Sequence, residues 1–133
     1  MSFTDYLENE VLDHILGGAD YTRPATVYIA LSTTQPSDNG SGFTEPAVGS
    51  YARVAVTNNA TEWPAASGGS KANANAVQFP TATADWGLIT HFGIFDDPTA
   101  GNLLMWGDLS PAQNVYDTDV PVIAAGDIVV NLD

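Results

Sequence analysis

Two runs of alternating residues enclose a polar loop between positions 86 and 107, and this pattern constrains the fold more than any other stretch. A period of two is that of a β-strand, whose side chains point to opposite faces of a sheet. The loop at 96–101 contains Pro98 and Gly101, which favour a turn. The sequence therefore predicts a β-hairpin. The alternating positions are Leu88, Thr90, Phe92 and Ile94 before the loop, and Leu103, Met105, Gly107 and Leu109 after it.

A hairpin that is symmetric about this loop has a predicted register. Its pairs are Ile94 with Leu103, Gly93 with Leu104, and Phe92 with Met105. His91 then faces Trp106 on the other side of the sheet. A shift of one residue would turn the apolar face toward water, so the pattern favours this register. Finding Phe92 opposite Trp106 would contradict it.

Further segments carry strand-forming residues between turn-rich loops, at positions 26–33, 51–57, 76–79, 115–124 and 128–132. The fourth is interrupted by Asp117, Asp119 and Pro121, which predicts an edge strand or a bulge. About seven short strands separated by loops are typical of an antiparallel sandwich or barrel. We predict an all-β fold, namely an antiparallel β-sandwich that is jelly-roll-like or Ig-like.

One amphipathic helix is predicted over residues 3–16, before the first strand. Its apolar stripe consists of Phe3, Tyr6, Leu7, Val11, Leu12, Ile15 and Leu16. Ser2 followed by Asp5 resembles a capping arrangement, and Gly17 with Gly18 is a strong helix stop. The helix either covers one end of the sandwich or docks on a neighbouring subunit.

The sequence of 133 residues is predicted to form a single domain, residues 1–133, with the helix at 3–16 and the sandwich at 26–132. Because cysteine is absent from it, disulfides and thiolate chemistry are excluded. No apolar run has the length that a bilayer requires, and the first residues lack the basic start of a secretory signal.

The charge balance is strongly acidic, because three Lys and Arg residues stand against sixteen Asp and Glu residues, for a net charge of −13. Nucleic acids and anionic membranes require clustered basic residues, so neither is an expected partner. The acidity either keeps the protein soluble or steers it toward a basic partner surface. Arg53 lies beside Tyr51 in a predicted strand, and we expect it to pair with an acidic residue.

Residues for catalysis form no recognisable pattern in this sequence. There is no G-x-S-x-G motif, and the two imidazole groups belong to His14 and His91. His14 is expected on the solvated side of the helix, and His91 is expected to pack against Trp106. We therefore predict no catalytic residue, and a protein that is not an enzyme.

Adjacent carboxylates occur at Asp96 and Asp97, and spaced ones at Asp117 and Asp119. Neither pair matches the twelve-residue calcium loop, so no metal-binding or cofactor-binding residue is predicted. A surface cation, or a small hydrolase that uses Asp96 and Asp97, remains an alternative that rests on these pairs alone.

Two long polar segments, at 34–50 and 58–75, are expected either to be mobile or to be held by a partner. Trp63 lies in the second segment before Pro64. A tryptophan in a polar loop is a candidate for an exposed contact at an interface, because its large side chain contributes strongly to binding.

Three segments, LSTTQP (31–36), EPAVGSYARVAVTNN (45–59) and WGLITHFGIFDDPTAGNLLMWGDL (86–109), resemble in this order a family of small phage structural proteins. Its members are described as capsid cement or decoration proteins, or as tail-fibre-like minor tail proteins. The resemblance implies a β-sandwich on the exterior of the virion capsid, made in the host cytoplasm and assembled as a homotrimer. It offers no catalytic residues.

The resemblance favours a capsid cement protein whose partner is the major capsid protein. The alternative is a tail-fibre-like or minor tail protein that binds the host surface. Contacts are expected from the helix and the two long segments, and from the face of the hairpin that carries His91. The predicted interface residues are Phe3, Tyr6, Leu7, Val11, Trp63, His91 and Trp106.

Overall fold

The hairpin around residues 96–101 forms the middle of the largest sheet in the computed structural model, which describes residues 1–132. In chain order the elements are β1 (Ser2–Phe3), α1 (Asp5–Leu16), β2 (Thr26–Ser32), β3 (Val54–Thr57), β4 (Ser70–Ala72), β5 (Val77–Gln78), β6 (Gly87–Phe95), β7 (Leu103–Val115), β8 (Val122–Ile123) and β9 (Val129–Asn131). The large sheet has the order β1-β7-β6-β2-β3, while β4 pairs with β9 and β5 with β8.

Every strand pair in residues 1–132 is antiparallel, which confirms the predicted all-β, sandwich-like fold with one N-terminal helix. There are nine strands in this range instead of about seven. The predicted strand at 51–57 begins only at Val54, because the hydroxyl of Tyr51 accepts a hydrogen bond from the backbone N–H of Leu31. The segment 115–124 contributes the end of β7 and the short strand β8.

The predicted hairpin register is wrong by two residues. Phe92 lies opposite Gly107 instead of Met105, and Ile94 lies opposite Met105. A bulge between Ile94 and Phe95 leaves Leu104 without a partner in β6, and the carbonyl of Leu104 accepts a hydrogen bond from the backbone N–H of Thr4. A shift of two keeps Phe92, Ile94 and Met105 on one face, as predicted. The bulge turns Leu103 to the opposite face, where it packs with Phe95, and brings Leu104 into the main core instead, so the predicted face of Leu103 is wrong.

A second irregularity, between Ile89 and His91, changes the predicted face at the start of β6. Ile89 is fully buried and belongs to the same cluster as Phe92 and Ile94, whereas Leu88 is exposed. The prediction that Leu88 shares the apolar face is therefore wrong. An irregular ladder reverses the alternation of side chains that a regular strand would show.

The beginning of the helix also differs from the prediction. Phe3 lies in β1, opposite Met105, and α1 begins at Asp5 after Thr4. The hydroxyl of Thr4 donates to the carbonyls of Leu103 and Leu104 at 2.6 and 3.1 Å instead of capping the helix. The predicted cap at Ser2 is therefore wrong, while the stop at Gly17 agrees with a helix that ends at Leu16.

Both faces of the large sheet are covered by other parts of the chain. In β2, Val27, Ile29 and Leu31 belong to the main core, which also contains residues of α1 and of the small sheets. Ala30 in the same strand belongs to a smaller cluster with Phe95 and Leu103, against which Phe43 of the long loop packs. The large sheet is thus a two-sided frame, with α1 and the main core on one side.

Candidate interaction surface

The first half of α1 is mostly occupied by contacts within the chain. Leu7 is only 5 % exposed and belongs to the main core, while Phe3 and Val11 are half-buried against it. Tyr6 is at the edge of exposure. Leu7 therefore packs mainly within the chain, and its role as an interface residue stays a prediction.

The second half of α1 exposes its apolar residues. Leu12, Ile15 and Leu16 are 55, 68 and 81 % exposed, and we call these three residues the helix end. They were part of the predicted stripe but not of the predicted interface. The apolar stripe is wider than the strip of helix surface that one packed sheet can bury. This width is the sequence signal that could have identified Leu12, Ile15 and Leu16 as exposed.

A cavity of about 340 Å³ opens beside the first half of α1 and is called the apolar cleft. Its wall includes Leu7 from the helix, Val27 and Ile94 from the large sheet, and Val130 from β9. These side chains come from distant parts of the sequence, so no local pattern could predict the cleft. Clefts of this size with mostly apolar walls are typical binding sites.

Trp63 forms part of the wall of the apolar cleft and is only 7 % exposed. The prediction that Trp63 is an exposed contact is therefore wrong. Its backbone N–H donates to the carbonyl of Asn59, which begins a turn that directs the indole into the core. The indole N–H is buried and has no hydrogen-bond partner within residues 1–132.

Basic residues are concentrated at the apolar cleft. Arg23 and Lys71, two of the three basic residues, line it, and none of the acidic residues described by the structure does. The guanidinium of Arg23 donates to the carbonyl of Asn58. Neither Arg23 nor Lys71 forms an ion pair with a carboxylate in residues 1–132. The cleft therefore combines apolar walls with positive charge in a protein of net charge −13.

The third basic residue, Arg53, is buried in a network on the opposite side of the large sheet. Its guanidinium forms a two-pronged pair with the carboxylate of Glu45, with N–O distances of 3.0 and 2.8 Å. It also donates to the carbonyls of Asp97 and Ala100, and it stacks 3.6 Å from the ring centre of Phe95. The prediction that Arg53 pairs with an acidic residue is confirmed.

The same network holds the long loop at 34–50. The hydroxyl of Tyr51 donates to the carboxylate of Glu45 at 2.7 Å, and burial raises the pKa of this phenol far above its ordinary value. In the second half of the loop, the backbone N–H of Thr44 donates to the hydroxyl of Ser32 at the end of β2. These bonds within the chain hold the loop at 34–50 in place. The polar composition of the loop therefore did not show whether a partner is needed to order it.

His91 and Trp106 are in contact, as predicted, although the register that suggested it was wrong. Their ring centres are 5.8 Å apart in an edge-on arrangement. His91 Nε2 is 3.0 Å from a carboxylate oxygen of Asp108, and Nδ1 is 2.7 Å from the hydroxyl of Thr90. Both ring nitrogens are therefore engaged in contacts that orient the ring.

The carboxylates that suggested a hydrolase stabilise turns. Asp96 accepts a hydrogen bond from the backbone N–H of Asn102, and Asp97 accepts from Thr99 and Ala100. These two backbone donors lower the pKa of Asp97. Within the described part of the chain, no group of three His, Asp or Glu residues could hold a metal ion. The helix α1, within the same range, also lacks the length and apolar character needed to cross a membrane.

A family model described as podophage GP4 fiber I protein gp80 matches residues 2–131. The chain belongs to this family. Membership places it among phage virion structural proteins, in agreement with the resemblance of its three segments. No curated protein matched the chain.

The segments that carried the resemblance to the gp80 family lie mainly in the frame of the fold. Residues 31–36 contain the last two residues of β2, residues 45–59 contain β3, and residues 86–109 contain all of β6 and the first part of β7. The helix end and the basic residues of the apolar cleft lie outside all three segments. The family pattern therefore describes the frame better than it describes the surface.

Proposed function

We propose that this chain is a structural part of a podophage tail fibre, and that it acts by protein–protein contact. The family match over residues 2–131 carries the proposal, because the matched family is described as a fibre protein. The fold suits such a role. A sheet that is packed on both sides and holds the buried Arg53–Glu45 ion pair forms the frame, while the helix end leaves apolar surface for a neighbouring protein.

The partners in this proposal are other copies of the same chain and a neighbouring component of the tail. Protein–protein interfaces are only partly apolar, and a few central side chains contribute most of the affinity. The helix end supplies three such side chains next to acidic residues of α1. A homotrimer, as the resemblance implies, would place three helix ends around one axis. A role in binding the host surface belongs to the same proposal.

A capsid cement role is the second proposal, and the helix end also supports it. A protein that gains apolar contacts only on an assembled shell stabilises that shell by mass action. The partner in this case is the major capsid protein at the exterior of the head. The two proposals use the same exposed surface and differ in the location of the chain.

Separation of virions into tails and DNA-filled heads without tails would distinguish the two proposals. An antibody against the chain, or mass spectrometry of each fraction, measures where the protein is. We expect it in the tail fraction, and cryo-microscopy of intact virions should place its density in a fibre. Detection in tailless heads alone would contradict the fibre proposal and support the cement proposal. Particles that lack the gene product serve as the control for the density.

A further inference from the structure

Two surface features have no partner within residues 1–132. The helix end exposes Leu12, Ile15 and Leu16, and each loses contact with water only if another molecule covers it. The apolar cleft is open beside the first half of the same helix. Contacts within the chain account for Trp106, His91 and Arg53, but they do not account for these two features.

The charges around the two features are complementary. Arg23 and Lys71 make the rim of the cleft positive, and acidic residues are absent from its described wall. The helix end is flanked by Asp13 within α1 and by Asp20 after it, and α1 as a whole carries four acidic residues. An apolar segment with carboxylates beside it is the ligand that an apolar cleft with basic residues at its rim would favour.

The helix end cannot enter the cleft of its own chain. Leu7 lines the cleft and Leu16 lies nine positions further along the same helix, which is about 13 Å at the rise of an α-helix. The helix is also fixed at its start, because Thr4 and Asp5 donate backbone hydrogen bonds to Leu104 and Asp38. Any helix end that fills the cleft must therefore come from another copy.

We propose that the helix end of one copy binds in the apolar cleft of a second copy, with Arg23 and Lys71 of that cleft facing the acidic residues of the incoming helix. This inference rests on the self-association in the proposed function, but not on the location in the virion. Because the two surfaces differ, the contact closes into a ring, forms reciprocally in a dimer, or repeats into an open filament. At each single contact, one copy contributes a helix end and the other a cleft.

Two double variants of the full chain test the contact, each damaging one surface. Ile15→Gln with Leu16→Gln removes the two most exposed apolar side chains of the helix end and keeps good helix-forming residues. Arg23→Glu with Lys71→Glu reverses the charge of the cleft. Analytical ultracentrifugation over a range of concentrations measures the dissociation constant of self-association. We expect each double variant to raise that constant by at least about tenfold, a change of about 1.4 kcal/mol.

A mixture of the two variants gives the decisive measurement. The first keeps an intact cleft and the second keeps an intact helix end, so an equimolar mixture should form a 1:1 complex of twice the 14.0 kDa chain mass. Val48→Gln is the matched control, because Val48 is an exposed apolar residue on the loop at 34–50. It should associate like the original chain. Circular dichroism of each variant verifies that it is folded.

Three results would overturn the inference. They are self-association of the helix variant at the original strength, absence of a complex in the mixture of folded variants, and a wild-type chain that stays monomeric at all concentrations. A fibre location together with either of the first two results would leave the proposed function standing. A chain that stays monomeric would also remove the self-association from that function, but not the fibre location. A head location together with the expected 1:1 complex would overturn the fibre proposal alone.

Discussion

The basic residues on the two sides of the large sheet differ in how their charge is compensated. On one side Arg53 is buried and bonds to Glu45 and to two backbone carbonyls, so its charge is compensated within the chain. On the other side Arg23 and Lys71 line an open cleft without an ion pair in residues 1–132. The first arrangement stabilises the fold, whereas the second leaves charge for a partner. The comparison separates residues that maintain the frame from residues that could make contacts.

The largest effect on stability is expected from Arg53→Ala. This change leaves the partly buried carboxylate of Glu45 and two carbonyls without their donor, which should lower the free energy of unfolding by about 3 kcal/mol. Urea unfolding followed by tryptophan fluorescence measures the loss. Arg23→Ala is the control, since an exposed residue should change stability by no more than about 0.5 kcal/mol. Similar losses of stability in Arg53→Ala and Arg23→Ala would contradict the contrast between the two sides of the sheet.

Leu7→Ala should come next, with a loss of about 2–3 kcal/mol, because it leaves a cavity in the main core. Leu16→Ala in the same helix should cost much less, since the side chain of Leu16 is exposed. Thermal unfolding of dilute, monomeric protein compares them. Equal losses would show that the helix end packs within the chain, contrary to its exposure.

Tyr51→Phe should lower the free energy of unfolding by about 1–2 kcal/mol at neutral pH, because it removes the hydroxyl shared by Leu31 and Glu45. Burial raises the pKa of Tyr51 above 10.0, so the folded state favours the neutral phenol. The stability from this group is therefore complete below about pH 10 and falls as the pH rises further. Urea titrations from pH 8 to pH 11 should show this decline in the original chain and a weaker one in the variant.

The smallest effect is expected from Asp97→Asn at the tip of the hairpin. The backbone N–H groups of Thr99 and Ala100 lower the pKa of Asp97 below 3.8. The ionised side chain therefore stabilises the turn above that pH, and the stabilisation is lost as the pH falls through the lowered pKa. Unfolding measured from pH 5 to pH 2 should be less dependent on pH in the variant. An unchanged acid dependence would show that this turn adds nothing to the frame.

Sequence patterns predicted the frame because they report local alternation. The shared face of Phe92, Ile94 and Met105 followed from period two, and the acidic partner of Arg53 followed from the scarcity of basic residues. The face of Leu103 did not follow, because the bulge beside it breaks the alternation. The register of the hairpin did not follow from the pattern, because it depends on the bulge at Leu104. The carbonyl of Leu104 accepts a hydrogen bond from Thr4, which lies one hundred positions earlier in the sequence. A local pattern contains no information about that contact.

The surface was harder to predict than the frame for a related reason. Trp63 has polar neighbours in the sequence but apolar neighbours in space, so a rule based on its local context predicted exposure. The helix stripe was identified, yet its spacing could not show which half of it would be buried. Which half of the helix is buried depends on where β7 and the small sheets end. The sequence of the helix carries no information about those positions.

The attachment of α1 at Thr4 determines how tension would pass through the protein. Force applied to the helix end travels along about 18 Å of helix and reaches residues 2–4, which are bonded to β7 by two strand pairs and by the Thr4 side chain. From there it enters the longest strand of the large sheet, which β6 holds along most of its length. A neighbour that pulls on the helix therefore pulls on the most extensively paired part of the fold.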